Sequence, residues 1–246
     1  MTLYRKIDEN KARLDTVRPL EGDLLKQTRD YYRIGLTWSS NAIEGNTLTE
    51  SETKILLEDG LTVGGKPLRD VYEAVGHGAA YDYMFSLMKN ASISTDDILR
   101  LHRLFYQSID AENAGAFRKI PIFVSGSEHV FPAPEEVMSE MKRLDVWMRD
   151  ERERYHPVEF AALLHLRLVT IHPFIDGNGR TARLLLNLAL IQKGYLPVII
   201  PPILRLDYNG SIRRYQNTGD AQPFVQLVCE QEIETQKEMS RLLHLK

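Results

Sequence analysis

His172-Pro173-Phe174-Ile175-Asp176-Gly177-Asn178-Gly179-Arg180-Thr181-Ala182-Arg183 sits between two apolar stretches, Leu163 to Ile171 and Leu184 to Ile191. The flanks read as two helices, so the polar segment is a helix–loop–helix connection. Gly177 and Gly179 free its backbone to turn N–H groups inward, and the second helix presents its positive dipole end to the same place. A phosphate fits that description. Arg180 and Arg183 are three apart and share a helix face, where they can grip further phosphate oxygens. Asp176 stands just before the nest, where a lone carboxylate beside phosphates suits Mg²⁺. His172 is the one residue of the stretch that accepts a proton near neutral pH.

Working outward, helical spacing recurs throughout the chain. Apolar residues from Asp23 through Trp38 and Ile43 indicate a helix ending at Gly45. That ending places Glu44 at a helix C-terminus, where the macrodipole disfavours negative charge. Glu44 is either a solvated carboxylate or one in need of a cation. Thr49-Glu50-Ser51-Glu52 is a capping box opening a short helix that stops at Asp59-Gly60. Val71, Val75, Ala79, Tyr83 and Leu87 step by four and predict the core face of a longer helix. No function attaches to His77. Ser94 to Asp97 caps a helix with Ile98, Leu101, His102 and Phe105 on its apolar face.

Arg118 to Val124 and His129 to Phe131 are β-prone around the turn Ser125-Gly126-Ser127-Glu128, which predicts one hairpin, with Pro121 confining its strand to an edge. It is either a connector or a surface for strand addition by a peptide. Past it come a helix bearing Val137, Met141, Leu144 and Met148, then one starting at Pro157. His165 lies seven residues before His172, too far to share a metal, and reads as a core or supporting residue. Pro197 to Pro202 reads as extended chain. Tyr208, Ile212 and Tyr215 suggest a helix near the loop, and Pro223 begins a last one.

The 246 residues allow one large core, and one domain is the simpler reading. Hydrophobic residues at 43% and charged residues at 26% describe an ordinary globular chain. The net charge of −3, with no dense basic patch, argues against nucleic acid as a partner. The single Cys229 has no partner for an internal disulfide and lies in an apolar helical pattern. Neither a signal peptide nor a run of about 18 apolar residues is present, so no membrane contact and a cytoplasmic location are expected.

A metal-dependent hydrolase would need further ligands beside Asp176, and a P-loop enzyme would need a Lys in the glycine loop. Transfer of part of a nucleotide to an alcohol remains: His172 as base, Asp176 on the metal, the nest and arginines on the departing phosphates.

The run from His172 to Arg183 resembles the active-site motif of the Fic family, His-x-Phe-x-Asp/Glu-Gly-Asn-Gly-Arg-x-x-Arg, at every specified position. The likeness extends from about Thr37 to Phe224. It implies an all-α fold with a small β-hairpin flap over the active site, the flap including Ile122, Val124, Ser125 and Gly126. It divides the chain into an N-terminal helical region (1–60), a core (61–225) and a C-terminal helix (226–246). It implies transfer of AMP from ATP to a Ser, Thr or Tyr hydroxyl of a target protein, with Mg²⁺. His172 would be the base and Asp176 the metal ligand. Gly177, Asn178, Gly179, Arg180 and Arg183 would contact phosphates, with Phe174 anchoring the loop and Tyr208 and Asn217 on the adenine side. Ser40-Asn41-Ala42-Ile43-Glu44-Gly45 resembles the family's inhibitory signature, Ser/Thr-x-x-x-Glu-Gly/Asn, whose Glu reaches the second motif Arg, here Arg183. Removal of AMP by the same site and a non-enzymatic nucleotide-regulated binder stay open, as do a homodimer and a transferred group other than AMP.

Overall fold

The computed structural model describes residues 3–62, 64–124 and 128–245. Among them are ten α-helices, a 3-10 turn and no strand. At the centre lie α7 (Pro157–Ile171) and α8 (Asn178–Ile191), which pack on one another. α7 is apolar nearly all round and α8 is apolar from Leu184 on apart from Asn187, and both are buried. Pro157 starts α7 at a position whose N–H would be unpaired anyway. Gly177, at φ +78°, starts α8.

Around this pair stand α2 (Gly22–Ile43), α4 (Leu68–Ser86), α5 (Thr95–Tyr106), α6 (Pro134–Glu151) and α9 (Arg205–Thr218). The short α3 (Glu50–Asp59) opens on the expected Thr49/Glu52 capping box and ends at a left-handed Gly60. Ser94 and Asp97 form a second such box at α5. α1 (Leu3–Asp15) packs on α10 (Gln222–Leu242), and Gln236 Nε2 donates to Ile7 O at 3.1 Å. α10 runs unbroken through residue 225, where the core was expected to end. Cys229 is a buried free thiol on α10. No helix of the described residues is long and apolar enough to cross a membrane.

Two expectations are corrected. α4 buries only part of the stripe its step of four suggests: Val71 and Leu87 are buried, but Val75 is 47% exposed, and Ala74, His77, Ala80, Tyr81 and Met84 complete the buried face. Small residues let this face approach α5 closely; a Cβ at Gly76 would come within 2.3 Å of Phe105 O. His77 is therefore interior, its Nδ1 paired with Thr37 Oγ1 at 3.1 Å.

Among the described residues the hairpin is not seen either. None of residues 118–124 and 128–131 is in a strand, and Ser125 and Gly126 lie outside the described residues. β-propensity needs a surface to pack on. Here Phe123 is 96% and Val130 87% exposed, and Pro121 offers no N–H to a ladder. The Arg118 guanidinium joins the two arms at their base instead, donating to Ile120 O and Pro132 O.

Candidate active site

The connection between α7 and α8 is held open by its own polar groups. The Asn178 carboxamide is buried and spans the loop, accepting from Phe174 N and donating to Phe174 O, each at 2.9 Å. Its side chain thus shapes the loop. Phe174 is fully buried and stacks on His102 with ring centroids 3.7 Å apart, the anchor expected of it. His102 Nδ1 accepts from Gly115 N at 2.9 Å, so Nε2 carries the proton and donates to Asp176 O at 3.0 Å. His102, read from the sequence only as part of an apolar face, thereby ties the loop to the segment after α5.

His172 caps α7 in the left-handed region at φ +52°. Its Nδ1 lies 3.2 Å from Val169 O. A carbonyl can only accept, so Nδ1 bears the proton and Nε2 is the free base nitrogen. Burial disfavours the imidazolium and lowers its pKa to about 4, so the ring is neutral at pH 7. Phe131 packs on it at 4.7 Å.

Asp176 Oδ1 accepts from Gly177 N at 2.6 Å, and Oδ2 accepts from Arg69 Nη2 at 2.8 Å. Burial raises its pKa, but Arg180, the Gly177 N–H and Arg69 outweigh that and hold it below the usual value. Arg180 is buried against Glu73, 2.9 Å from Nη1 to Oε1, and its guanidinium lies over the Phe105 ring. Glu73 also accepts from Arg69 Nε and from Asn46 Nδ2. Glu73 and Arg69 carried no recognisable signal in the sequence, because only the packing of α4 on α8 brings them here.

Arg183 is 4% exposed and spends its donors on three residues. Nε donates to Ser40 Oγ at 2.9 Å and Nη2 to Ser40 O at 2.8 Å. Nη1 donates to Tyr208 Oη at 2.8 Å, and Nη2 to Glu44 Oε1 at 2.7 Å. Burial raises the Glu44 pKa, but the Arg183 and Arg180 charges and the Arg183 hydrogen bond bring it below the ordinary value. Glu44 lies against Gly179, where an added Cβ would stand 2.6 Å from Oε1. A carboxylate disfavoured at the end of its own helix therefore occupies the anion-attracting start of α8.

A cleft of about 270 Å³ opens between His172, Glu44, Gly179 and α9. Tyr208 lines it but is buried, its hydroxyl engaged with Arg183 and with His165 Nε2 at 2.8 Å. His165 thus has the supporting role expected. Asn217 is exposed and does not line this cleft; Asn209, Ile212, Arg213 and Gln216 do. Ile122 is not among its lining residues, whereas Val124 is.

Residues 92–190 match the Fic/DOC family. The curated "Protein adenylyltransferase Fic" of Nematostella vectensis is 39% identical over 227 residues, 91% of this chain and 52% of the relative. That of Drosophila grimshawi is 38% identical over 226 residues, 91% of this chain and 46% of its own. The chain spans about half the length of these curated relatives. Fic-1 from C. elegans superposes with a TM-score of 0.88 at 32% identity, covering 98% of this chain and 72% of that one. A Fic domain containing signaling protein from Bacteroides thetaiotaomicron gives 0.85 at 29% identity, with 94% of each chain covered. Matching the Fic/DOC family over residues 92–190, the motif loop among them, and superposing on Fic-1 along 98% of its length, the chain belongs to the Fic/DOC family.

Proposed function

We propose that this site transfers AMP from ATP to a Ser, Thr or Tyr hydroxyl of a target protein and that Glu44 restrains it. The observation that carries the reading is Arg183, the second arginine of the motif, held by Ser40 and Glu44 beside the start of α8. In the reaction, His172 Nε2 takes the proton of the acceptor hydroxyl as its oxygen attacks the α-phosphorus. The bond to the bridging oxygen breaks and pyrophosphate leaves with the electron pair. The N–H groups around Gly177 and Gly179, with Arg180 and Arg183, neutralise the charge gathering on the departing oxygens.

Asp176 fits a Mg²⁺ that takes its other ligands from phosphates and water, being ionised and with its side chain 40% exposed. Among the described residues no group of three or more His, Cys, Asp or Glu could hold a metal alone. Bound there with the phosphates, Mg²⁺ would offset charge on the leaving group.

Release of the brake runs through the Glu44 side chain, with α2 staying docked. The last turns of α2 are fastened by buried polar contacts, among them Thr37 to His77 and Asn41 Nδ2 to Glu73 O. The Glu44 side chain, by contrast, is 37% exposed to the cleft.

Incubating wild type, Glu44→Gly and His172→Ala with labelled Mg²⁺-ATP and lysate tests both parts. Labelling is expected to rise in Glu44→Gly and to vanish in His172→Ala. Equal labelling by wild type and Glu44→Gly would remove the brake, and full labelling by His172→Ala would remove the base. A second reading draws on Glu44 sharing the cleft with His172, where its carboxylate could orient a water that hydrolyses AMP from a modified protein. An AMP-modified target separates the two directions.

A further inference from the structure

Arg118 is a buried cation without an anion. It is 3% exposed, and no carboxylate of the described residues lies within ion-pair distance. Burial lowers its pKa from the ordinary value, but a guanidinium stays charged at neutral pH. Keeping such a charge in the interior is unfavourable unless its donors are well used. Here carbonyls from three separate segments use them. Nε donates to His172 O at 2.8 Å, Nη1 to Ile120 O at 3.3 Å and Nη2 to Pro132 O at 2.6 Å. The Arg118 backbone N–H donates to Pro173 O at 2.9 Å.

These are not arbitrary anchor points. His172 holds a positive φ, uncommon for a residue with a side chain, and a fixed carbonyl is what keeps its peptide in that orientation. Ile120 and Pro132 mark the roots of the two arms. Among the described residues no backbone–backbone hydrogen bond engages residues 121–124, and the N–H groups from Ile122 on, with the carbonyls, suit pairing with a partner strand. Phe131, next to Pro132, packs directly on the imidazole. A planar fork can serve three carbonyls in one plane; an ammonium is a point charge with no such fixed geometry.

We propose that Arg118 is the positioning residue of the base, coupling the arms along which an acceptor segment lies to the orientation of the His172 ring. The proposal rests on the AMP-transfer reading above. Arg118 also sets part of the electrostatic surroundings of the ring. Its charge opposes protonation of His172, Asp176 and Glu44 favour it, and the Val169 carbonyl holds the Nδ1 proton.

The test uses Glu44→Gly protein with Arg118 intact, Arg118→Lys or Arg118→Ala. Three quantities are read: ATP affinity by calorimetry, labelled-AMP incorporation into lysate proteins, and the His172 ring signals of histidine-labelled protein by NMR across pH. For Arg118→Lys the proposal expects parental ATP affinity and a fall in incorporation of about 100-fold, the scale on which a misplaced base slows a reaction. It also expects displaced His172 signals. In Arg118→Ala the ring pKa should rise from about 4, because a positive neighbour is gone. Parental incorporation by Arg118→Lys overturns the proposal. So does a loss of incorporation matched by lost ATP affinity, or unmoved His172 signals, either of which makes Arg118 a staple of the fold. If the parent itself incorporates no AMP, the transfer reading fails and the NMR result alone decides the role of Arg118.

Discussion

Glu44 Oε1 and Arg183 Nη2 meet at 2.7 Å although 139 positions separate them in the chain. Each solves a problem for the other. Glu44 ends a helix whose dipole repels it, and Arg183 is a buried guanidinium that needs acceptors while no phosphate is bound. Glu44→Gln keeps the shape and removes the charge. A hydrogen bond to a charged group contributes roughly 1.5–3 kcal/mol, so ATP is expected to bind about 10- to 100-fold more tightly. Ser40→Ala removes one acceptor of Arg183 Nε and should give a smaller gain in the same calorimetric titration. Unchanged ATP affinity in Glu44→Gln would contradict the competition.

The pH behaviour of His172 follows from its burial. Its folded pKa, about 4, is depressed below the unfolded value of about 6.5, so the ring is a competent base wherever the pH exceeds about 4. The acid limb of AMP transfer assigned to this ring should therefore not fall near 6.5. His102, lowered to about 4, and His77, lowered to about 3, are buried neutral as well. Between pH 6.5 and about 4 the unfolded chain takes up protons that the folded chain refuses. Each such ring removes up to about 1.4 kcal/mol of stability per pH unit through that window. Thermal melts from pH 7 to 5 should fall steadily, and a flat profile would show that these rings protonate in place.

Glu232 has the opposite sign. It is fully buried, accepts from Leu196 N and Gln236 Nε2, and burial raises its pKa to about 8. It is neutral in the folded chain at pH 7 and ionised in the unfolded one. Its contribution is complete below about pH 4.5 and is lost as the pH climbs to about 8. Glu232→Gln should raise Tm at pH 8, by roughly 2–4 °C for each kcal/mol recovered in a chain of this size, and the gain should fade toward pH 5. A variant melting below wild type at pH 8 would mean that the carboxylate is ionised in place.

Arg69 holds Asp176 Oδ2 at 2.8 Å, on the carboxylate assigned to the metal. The Arg69 side chain is 58% exposed, so the pair is a weak one, about 0.2–1 kcal/mol. Arg69→Ala should free the oxygen and tighten Mn²⁺ binding with ATP present by up to about fivefold, read by Mn²⁺ EPR. Weaker binding would instead give Arg69 a direct part in holding the nucleotide.

Much of this was legible in the amino-acid order, and where it was not the reason is physical. The two capping boxes, the glycine punctuation and the motif loop are local, and each formed where its residues predicted. The Glu44–Arg183 pair was implied by resemblance, and the misplaced charge at the helix end gave it an independent hint. The hairpin failed because β-prone residues without a surface to cover remain loop. The α4 stripe was read only in part, because Ala74, Gly76 and Ala80 bury a face by smallness, which an apolar step of four does not register. Arg69, Glu73, His102 and Arg118 act through contacts between elements distant in sequence, so no local pattern announces them.

The hydrogen atom that Gly179 carries in place of a side chain has a genetic consequence. The room it leaves is taken by the Glu44 carboxylate at rest, and by a phosphate in the reaction proposed above. A side chain at 179 would press on the Glu44 carboxylate and, in the reaction proposed above, on the phosphate that replaces it, so substitution there bears on restraint and turnover alike. Heritable adjustment of how tightly this protein is held in check is better placed at Ser40 on α2 and at Glu44 just past its end, where the restraint has atoms that the proposed transfer does not use.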